Sequence, residues 1–287
     1  MATAQLIPFY QDVQAHYDLS NDFYRLFLGP TMLYTCAYYE RDDMTLEEAQ
    51  IAKNDLALGK CDLRPGQRLL DIGCGWGATI IQAVEKYGVR GVGITLSGEQ
   101  VKWAREEARH LGDRAEFRMQ GWEEFDEPVD RIVALCSTEH FREERYGVFF
   151  EKCYGLLPPQ APMLIQVIVF PEESAQQEKC VTWTEDDVAF AKFIQRKIFP
   201  GGQLRSASTL CRFARAAGFE TTRIQSLQPH YAKTLDAWAE RLGANREAAM
   251  EITSPETYEM YMRYITGCAD RYRSSKLDVV QISLQKR

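Results

Sequence analysis

Hydrophobic and polar residues follow a repeating order between residues 67 and 170. Short apolar runs of strand length alternate with longer stretches in which apolar residues recur at helical spacing. This order predicts strands over 67–72, 90–95, 115–120, 131–136 and 163–170, and helices over 78–87, 98–111 and 141–157. Strands that alternate with helices of about ten to fifteen residues are typical of a doubly wound, mostly parallel α/β sheet.

Helices dominate the flanking segments. Thr45 or Asp43 is predicted to cap a helix over 46–58. Beyond Pro171 the pattern predicts further helices over 184–198, 208–217 and 234–274. It also predicts two late strands, 219–225 and 278–284, which would bring the sheet to seven strands.

We interpret residues 1–287 as one domain. Residues 1–60 would form an N-terminal helical cap, and 172–205 and 232–274 would be helical lid insertions. Ligands bind at the carboxyl ends of the strands in open α/β sheets. The added helices are therefore expected to form a substrate chamber at that edge.

A glycine-rich loop follows the first predicted strand, in the run Leu69-Leu70-Asp71-Ile72-Gly73-Cys74-Gly75-Trp76-Gly77-Ala78. Glycine permits positive φ and lets a ligand approach the backbone. The spacing G-x-G-x-G differs from the dinucleotide fingerprint G-x-G-x-x-G. Asp71 suits a cationic ligand better than a pyrophosphate. The run resembles motif I of the class I S-adenosylmethionine (SAM) methyltransferases, and this resemblance implies SAM rather than a nicotinamide or flavin cofactor, with a purely structural turn as the remaining alternative.

Further motifs extend over most of the chain: His16–Ser20, Tyr34–Tyr38, Glu40–Leu46, Gly93–Ser97, Gly121–Glu123, Glu139–Phe141, Phe199–Gly202 and His230–Leu235. Together they resemble the mycolic acid cyclopropane synthase family of class I SAM-dependent methyltransferases. That family includes the bacterial cyclopropane-fatty-acid synthases and related C-methyltransferases.

The resemblance implies a SAM site built from several parts of the chain. Its members would be Tyr34 and Thr35, which close over the cofactor; Gly73 and Gly75, the backbone cradle, with Asp71 nearby; Thr95, Leu96 and Gln100, around the ribose and methionine ends; and Trp122 and Glu123, around the adenine.

The methyl group of SAM is an electrophile that an alkene or aromatic carbon can attack, which leaves a carbocation. The site must tolerate this cation and then remove a proton, and aromatic faces stabilise cations. Candidate chamber aromatics are Tyr17, Phe23, Tyr24, Phe27, Tyr231, Tyr261 and Tyr264. Among them, Tyr24 and Tyr231 are our candidates for a catalytic role.

The sequence leaves two candidates for the group that accepts this proton. The resemblance implies a bicarbonate ion held by Cys36 and Cys136 through their backbones and by Glu139, Gln166 and Tyr231. Gln166, however, stands where the family normally has histidine, and Cys136-Ser137-Thr138 stands where Gly-Ala-Phe is usual. The alternative is Glu139 with His140, since histidine titrates near neutral pH.

Composition and charge argue against several classes of protein. The net charge of −7 argues against a nucleic-acid partner. No apolar run is long enough for a membrane span and no signal peptide is evident, so we expect a cytoplasmic protein. The eight cysteines include no CxxC pair, and no cluster has metal-ligand spacing.

The departures at Gln166 and at 136–138, with the Tyr24 hydroxyl, favour C-methylation of a small natural product at an alkene or indole-type carbon. The alternative is cyclopropanation or methyl branching of an unsaturated acyl chain. A non-catalytic SAM-binding module is a more distant alternative. An acyl substrate could bring an acyl carrier protein, for which Lys53, Lys60, Arg64 and Arg68 would supply a basic patch.

Overall fold

The computed structural model describes residues 6–9 and 19–287, and a seven-stranded sheet forms the centre of this part of the chain. Its strands are β1 (Arg68–Ile72), β2 (Arg90–Thr95), β3 (Ala115–Met119), β4 (Arg131–Leu135), β5 (Pro162–Val169), β6 (Phe219–Ser226) and β7 (Asp278–Lys286). They lie in the order β3-β2-β1-β4-β5-β7-β6, with only β7 antiparallel to its neighbours. The predicted doubly wound, mostly parallel seven-stranded sheet is confirmed.

Helices cover both faces of the sheet and extend beyond one edge. In chain order they are α1 (Asn21–Leu28), α2 (Leu46–Gly59), α3 (Ala78–Tyr87), α4 (Gly98–Glu107), α5 (Tyr146–Leu156), α6 (Glu173–Glu178), α7 (Glu185–Phe193), α8 (Ala207–Ala216), α9 (Gln228–Ala244), α10 (Arg246–Ile252) and α11 (Pro255–Arg273). The central strands β1 and β4 are therefore buried on both faces, which explains their continuous apolar runs.

Two predicted helices are divided in the structure. The stretch 234–274 forms α9, α10 and α11, because Ser254 caps a new helix and Pro255 occupies its first turn. The helix predicted over 141–157 begins only at Tyr146. Two short 3₁₀ turns, Thr138–His140 and Glu143–Arg145, precede it, and the first of them carries the candidate proton acceptors.

A separate aromatic core joins the N-terminal helices to the late ones. Helix α9 packs against α11 and α1, and their buried side chains form one continuous cluster. Within it the Phe23 and Tyr261 ring centres lie 4.9 Å apart. This helical layer forms one wall above the sheet edge. Among the described residues no helix combines the length and apolar character that crossing a membrane requires.

Candidate active site

A cleft lies at the carboxyl ends of β1, β2 and β4. Of the residues expected at the SAM site, it is lined by Gly73, Gly75, Thr95, Leu96, Gln100, Trp122 and Glu123. Ser137, His140 and Phe141 lie on the side nearest β4. The strand-to-loop arrangement therefore brings together residues that are far apart in the sequence.

The glycine loop needs glycine for two different reasons. Gly73 has φ 81°, and a Cβ built there would lie 2.4 Å from the Cβ of Ser137. Gly75 has φ 54°, and a Cβ there would meet nothing within 4 Å, because it would point into open cleft. A ligand can therefore lie directly against the backbone at Gly75.

Polar side chains of the cleft walls are fixed in place by hydrogen bonds to other side chains of the protein. The Thr95 hydroxyl donates to Gln100 Oε1 over 2.6 Å. Glu123 accepts from Arg145 over 2.9 Å, and burial raises the pKa of this carboxyl group. Trp122 packs against Phe141 and Phe149, with ring centres 5.6 and 5.3 Å away. The cleft thus combines an aromatic wall with pre-positioned polar groups.

Three residues expected at the SAM site do not line this cleft. Asp71 lies beneath the loop, where burial raises its pKa to about 7 and Lys53 opposes the shift. Thr35 faces away, toward Gln166 and Cys136. Tyr34 lines a second cavity instead. Neither Tyr34 nor Thr35 lines the cleft, and their closure over the cofactor stays a prediction.

The second cavity, which we call the chamber, has a volume of about 440 Å³. Segments 172–205 and 232–274 supply much of its wall. Its apolar lining includes Ile168, Phe170, Val188, Phe190, Ile194, Phe199, Leu204, Leu235, Tyr264 and Leu277. The chamber suits an apolar ligand better than a polar one.

Only part of the predicted aromatic wall faces the chamber. Tyr231 and Tyr264 line it, as expected. Phe23, Tyr24, Phe27 and Tyr261 are packed into the aromatic core instead. The Tyr24 hydroxyl lies 3.0 Å from that of Tyr261, so the predicted place of Tyr24 in the chamber wall is wrong. His16 and Tyr17 lie outside the described residues.

The cleft and the chamber meet at Cys136 and His140, which line both. The neighbouring Glu139 faces the chamber and is 6% exposed. Its Oε1 accepts a hydrogen bond from the Ile168 N–H over 2.7 Å, whereas its buried Oε2 has no partner among the described residues. Burial raises the pKa of Glu139 to about 7. A carboxylate of this kind can accept a proton near neutral pH.

The residues expected to hold bicarbonate do not fit that ion. Gln166 is fully buried, and its amide bonds Thr35 Oγ1 over 2.6 Å and Gln281 over 3.0 Å. The Cys136 N–H donates to the Gln166 carbonyl oxygen over 2.7 Å. Cys36 lines neither cavity. Among the five expected ligands, Glu139 and Tyr231 line the chamber, Cys136 lines both cavities, and Cys36 and Gln166 line neither.

The expected basic patch is also absent as a surface feature. Lys53 is fully buried and donates to Asn54 Oδ1 over 2.6 Å. Lys60 is half-buried against two glutamines. Arg68 pairs with Glu127, and Arg64 with Asp62. These side chains therefore do not form one exposed basic face for a carrier protein.

Sequence reasoning missed the buried position of Lys53. Burial lowers the pKa of Lys53 to about 8, and Asp71 and two cysteines raise it. A signal was available, because Lys53 follows Ala49 and precedes Ala57 at four-residue spacing on one helix face. Both alanines are fully buried.

Comparisons with known proteins agree with this geometry. A family model described as mycolic acid cyclopropane synthetase matches residues 4–282. Cyclopropane mycolic acid synthase 3 of Mycobacterium tuberculosis is 52% identical over 286 residues, which cover 99% of this chain and 100% of the relative. The chain belongs to the mycolic acid cyclopropane synthetase family.

Solved structures of this family superpose closely. The cyclopropane synthase MmaA2 from Mycobacterium tuberculosis is 47% identical, with a TM-score of 0.96, covering 99% of this chain and 100% of that one. The mycolic acid cyclopropane synthase CmaA1, solved with SAH and CTAB, is 50% identical with a TM-score of 0.94 and the same coverage. The predicted family and class I methyltransferase fold are confirmed. The protein is a SAM-dependent enzyme rather than a non-catalytic module.

The loop glycines allow a matched test of the cofactor cleft. Gly75 and Gly66 both have positive φ, and a Cβ at either would meet nothing within 4 Å, but only Gly75 lines the cleft. Each change to alanine should cost about 1–2 kcal/mol of stability. We expect only Gly75→Ala to weaken SAM binding, by about tenfold or more in calorimetric Kd. Equal losses of SAM affinity in Gly75→Ala and Gly66→Ala would contradict this assignment.

Proposed function

We propose that the enzyme transfers the methyl group of SAM to a carbon–carbon double bond of an unsaturated acyl chain and closes a cyclopropane ring. Relatives named as cyclopropane mycolic acid synthases support this substrate class. They favour the acyl alternative over C-methylation of a small natural product at an alkene or indole-type carbon, the interpretation that the departures at Gln166 and at 136–138 favour.

One observation carries the proposal: a mostly apolar chamber of about 440 Å³ shares the lining residues Cys136 and His140 with the cofactor cleft. An acyl chain in this chamber would place a double bond near the junction, while its remaining length contacts apolar side chains. The relative CmaA1 was solved with CTAB, a lipid-like ligand, in addition to SAH. We propose that segments 172–205 and 232–274 enclose the chain.

SAM supplies a methyl group activated by a positively charged sulfur. We infer that the residues of the cleft hold it: the backbone at Gly73 and Gly75, the side chains of Thr95 and Gln100, and the wall formed by Trp122 and Glu123. The π electrons of the double bond form the new carbon–carbon bond as the sulfur–carbon bond breaks. The neighbouring substrate carbon is left with a positive charge.

The chamber side chains then act on the cation. The faces of Tyr231, Phe199 and Tyr264 stabilise it, at about 0.5–2 kcal/mol each for well-placed rings. Glu139 Oε2 accepts a proton from the transferred methyl group, and the released electron pair closes the ring. Because the predicted bicarbonate ligands do not fit that ion, Glu139 accepts the proton directly.

The substrate class is tested by mass spectrometry after incubation with SAM. Unsaturated acyl substrates, free and carrier-bound, are offered beside indole and isoprenoid compounds. We expect a gain of one CH₂ on the acyl chains and none on the indole and isoprenoid compounds. A gain confined to the indole or isoprenoid compounds would overturn the proposal and restore C-methylation of a small natural product.

Glu139→Gln should lower kcat by about 100-fold or more, because the amide cannot accept the proton. The SAM Kd should stay within about twofold of wild type, since Glu139 does not line the cofactor cleft. His140→Phe serves as the comparison, because it keeps a ring against Phe199. If His140→Phe loses turnover and Glu139→Gln does not, the proton acceptor is His140.

The pH dependence follows from the buried carboxyl group. Its pKa is raised to about 7, so the proton-accepting form increases as the pH rises through 7. We expect kcat/KM to increase up to about pH 7–8 and then level, in a profile measured with saturating SAM. An acid limb near pH 4.5, where an ordinary glutamate titrates, would contradict Glu139 as the acceptor.

A further inference from the structure

Lys60 is a half-buried cation with an unusual set of partners. Its Nζ donates to Gln281 Oε1 over 2.5 Å and to Gln225 Oε1 over 2.7 Å. Among the described residues no carboxylate forms an ion pair with it. Burial, with a contribution from Arg223, lowers the pKa of Lys60 to about 8. Burying a cation without a counter-charge costs stability, so packing alone does not explain this arrangement.

Three glutamines lie side by side across the last strands of the sheet. Gln166 on β5 is opposite Gln281 on β7, which is opposite Gln225 on β6. Gln281 Nε2 donates to Gln166 Oε1 over 3.0 Å. Gln166 Nε2 then donates to Thr35 Oγ1 over 2.6 Å and to Cys136 Sγ over 3.4 Å. A continuous chain of hydrogen bonds therefore runs from Lys60 to Cys136.

Lys60 determines the direction of this chain. An ammonium group can only donate, so Gln281 must present its oxygen to Lys60 and its nitrogen to Gln166. Gln166 must then accept from Gln281 and donate toward Thr35 and Cys136. Without Lys60, either buried amide could turn over and reverse the sequence of donors and acceptors. One cation outside the active site thus orients two buried amides.

The chain ends at the residue that joins the two cavities. Cys136 lines both the cleft and the chamber, and it has φ 58°, which is rare for a non-glycine residue. The backbone carbonyl of Gln166 accepts from the Cys136 N–H, and the side-chain amide of Gln166 donates to the Cys136 sulfur. The Thr35 hydroxyl also donates to this sulfur, over 3.2 Å. Glu139 follows on the adjoining turn.

We propose that Lys60 is a positioning residue for methyl transfer, which acts through Gln281 and Gln166 to hold Cys136, and with it the turn that carries Glu139, at the junction of the two cavities. The activity part of this proposal rests on the proposed function. The hydrogen-bond direction does not, and it is tested separately.

Gln281→Glu is the sharpest test, because it keeps the side-chain size and the acceptor for Lys60 but removes the donor to Gln166. Gln166 must then turn over and present its oxygen to Thr35 and Cys136. We expect kcat to fall about tenfold or more, with the KM for the acyl substrate, the SAM Kd and the Tm nearly unchanged. Gln225→Glu is the matched control, since Gln225 contacts Lys60 but lies outside the chain to Cys136, and its kcat should stay within twofold.

Two substitutions of Lys60 provide a second comparison. This comparison decides the test if Gln281→Glu does not fold. Lys60→Met should lower kcat as Gln281→Glu does, whereas Lys60→Arg should retain it because arginine also donates only. A kcat within twofold of wild type for Gln281→Glu or Lys60→Met would overturn the proposal. An equal fall in Gln225→Glu and Gln281→Glu would also overturn it.

Nuclear magnetic resonance of glutamine-labelled protein tests the direction without turnover. The side-chain amide signal of Gln166 is assigned by its loss in Gln166→Met. It should shift in Gln281→Glu and Lys60→Met and stay in place in Lys60→Arg and Gln225→Glu. An unchanged signal in all four variants would overturn the proposal. If the wild type converts no unsaturated acyl substrate, the proposed function fails, and this measurement still decides the role of Lys60.

Discussion

The hydrogen bond from the Cys136 N–H to the Gln166 carbonyl oxygen is the constraint on which the active site depends. It extends the pairing of β4 and β5 by one residue beyond Leu135, the last residue of β4. The chain then leaves β4 with a positive φ at Cys136 and enters the 3₁₀ turn that carries Glu139 and His140. Such a conformation costs of order 1–3 kcal/mol and persists only where the surroundings hold it. Here it places one residue between two cavities.

Burial sets the chemistry of the groups around that point. Glu139 has one oxygen fixed by a backbone N–H and another that has no hydrogen-bond partner in the part of the chain that the structure describes, and burial raises its pKa to about 7. Asp71 and Lys53 lie beneath the glycine loop with pKa values shifted toward neutrality, to about 7 and about 8. The chamber lining carries two carboxyl groups, Glu139 and Asp187, of which Asp187 is paired with Arg271. A hydrocarbon chain and a transient cation can both be accommodated in such an environment.

Local patterns in the sequence were sufficient to predict the strands of the sheet and the position of the glycine loop. The alternation of apolar runs and helices depends on neighbouring residues, and the G-x-G-x-G spacing places Gly73 and Gly75 at the end of β1 in any doubly wound sheet. The position of Tyr24 depends instead on how α1 packs against α11, which no local pattern records. The same is true of Lys60, whose partners Gln225 and Gln281 come from strands more than 160 residues later. Its charge suggested a surface patch, but tertiary packing turned it toward the sheet.

The central claim is that an acyl chain in the chamber receives a methyl group at the junction of the two cavities. Glu139 then accepts one proton of that methyl group. The most direct measurement uses SAM with a fully deuterated methyl group, an unsaturated acyl substrate and mass spectrometry of the product. A product that retains two of the three deuterium atoms shows that the proton came from the transferred methyl group, as we predict. A product that retains all three, or no transfer to any acyl chain, would contradict the account.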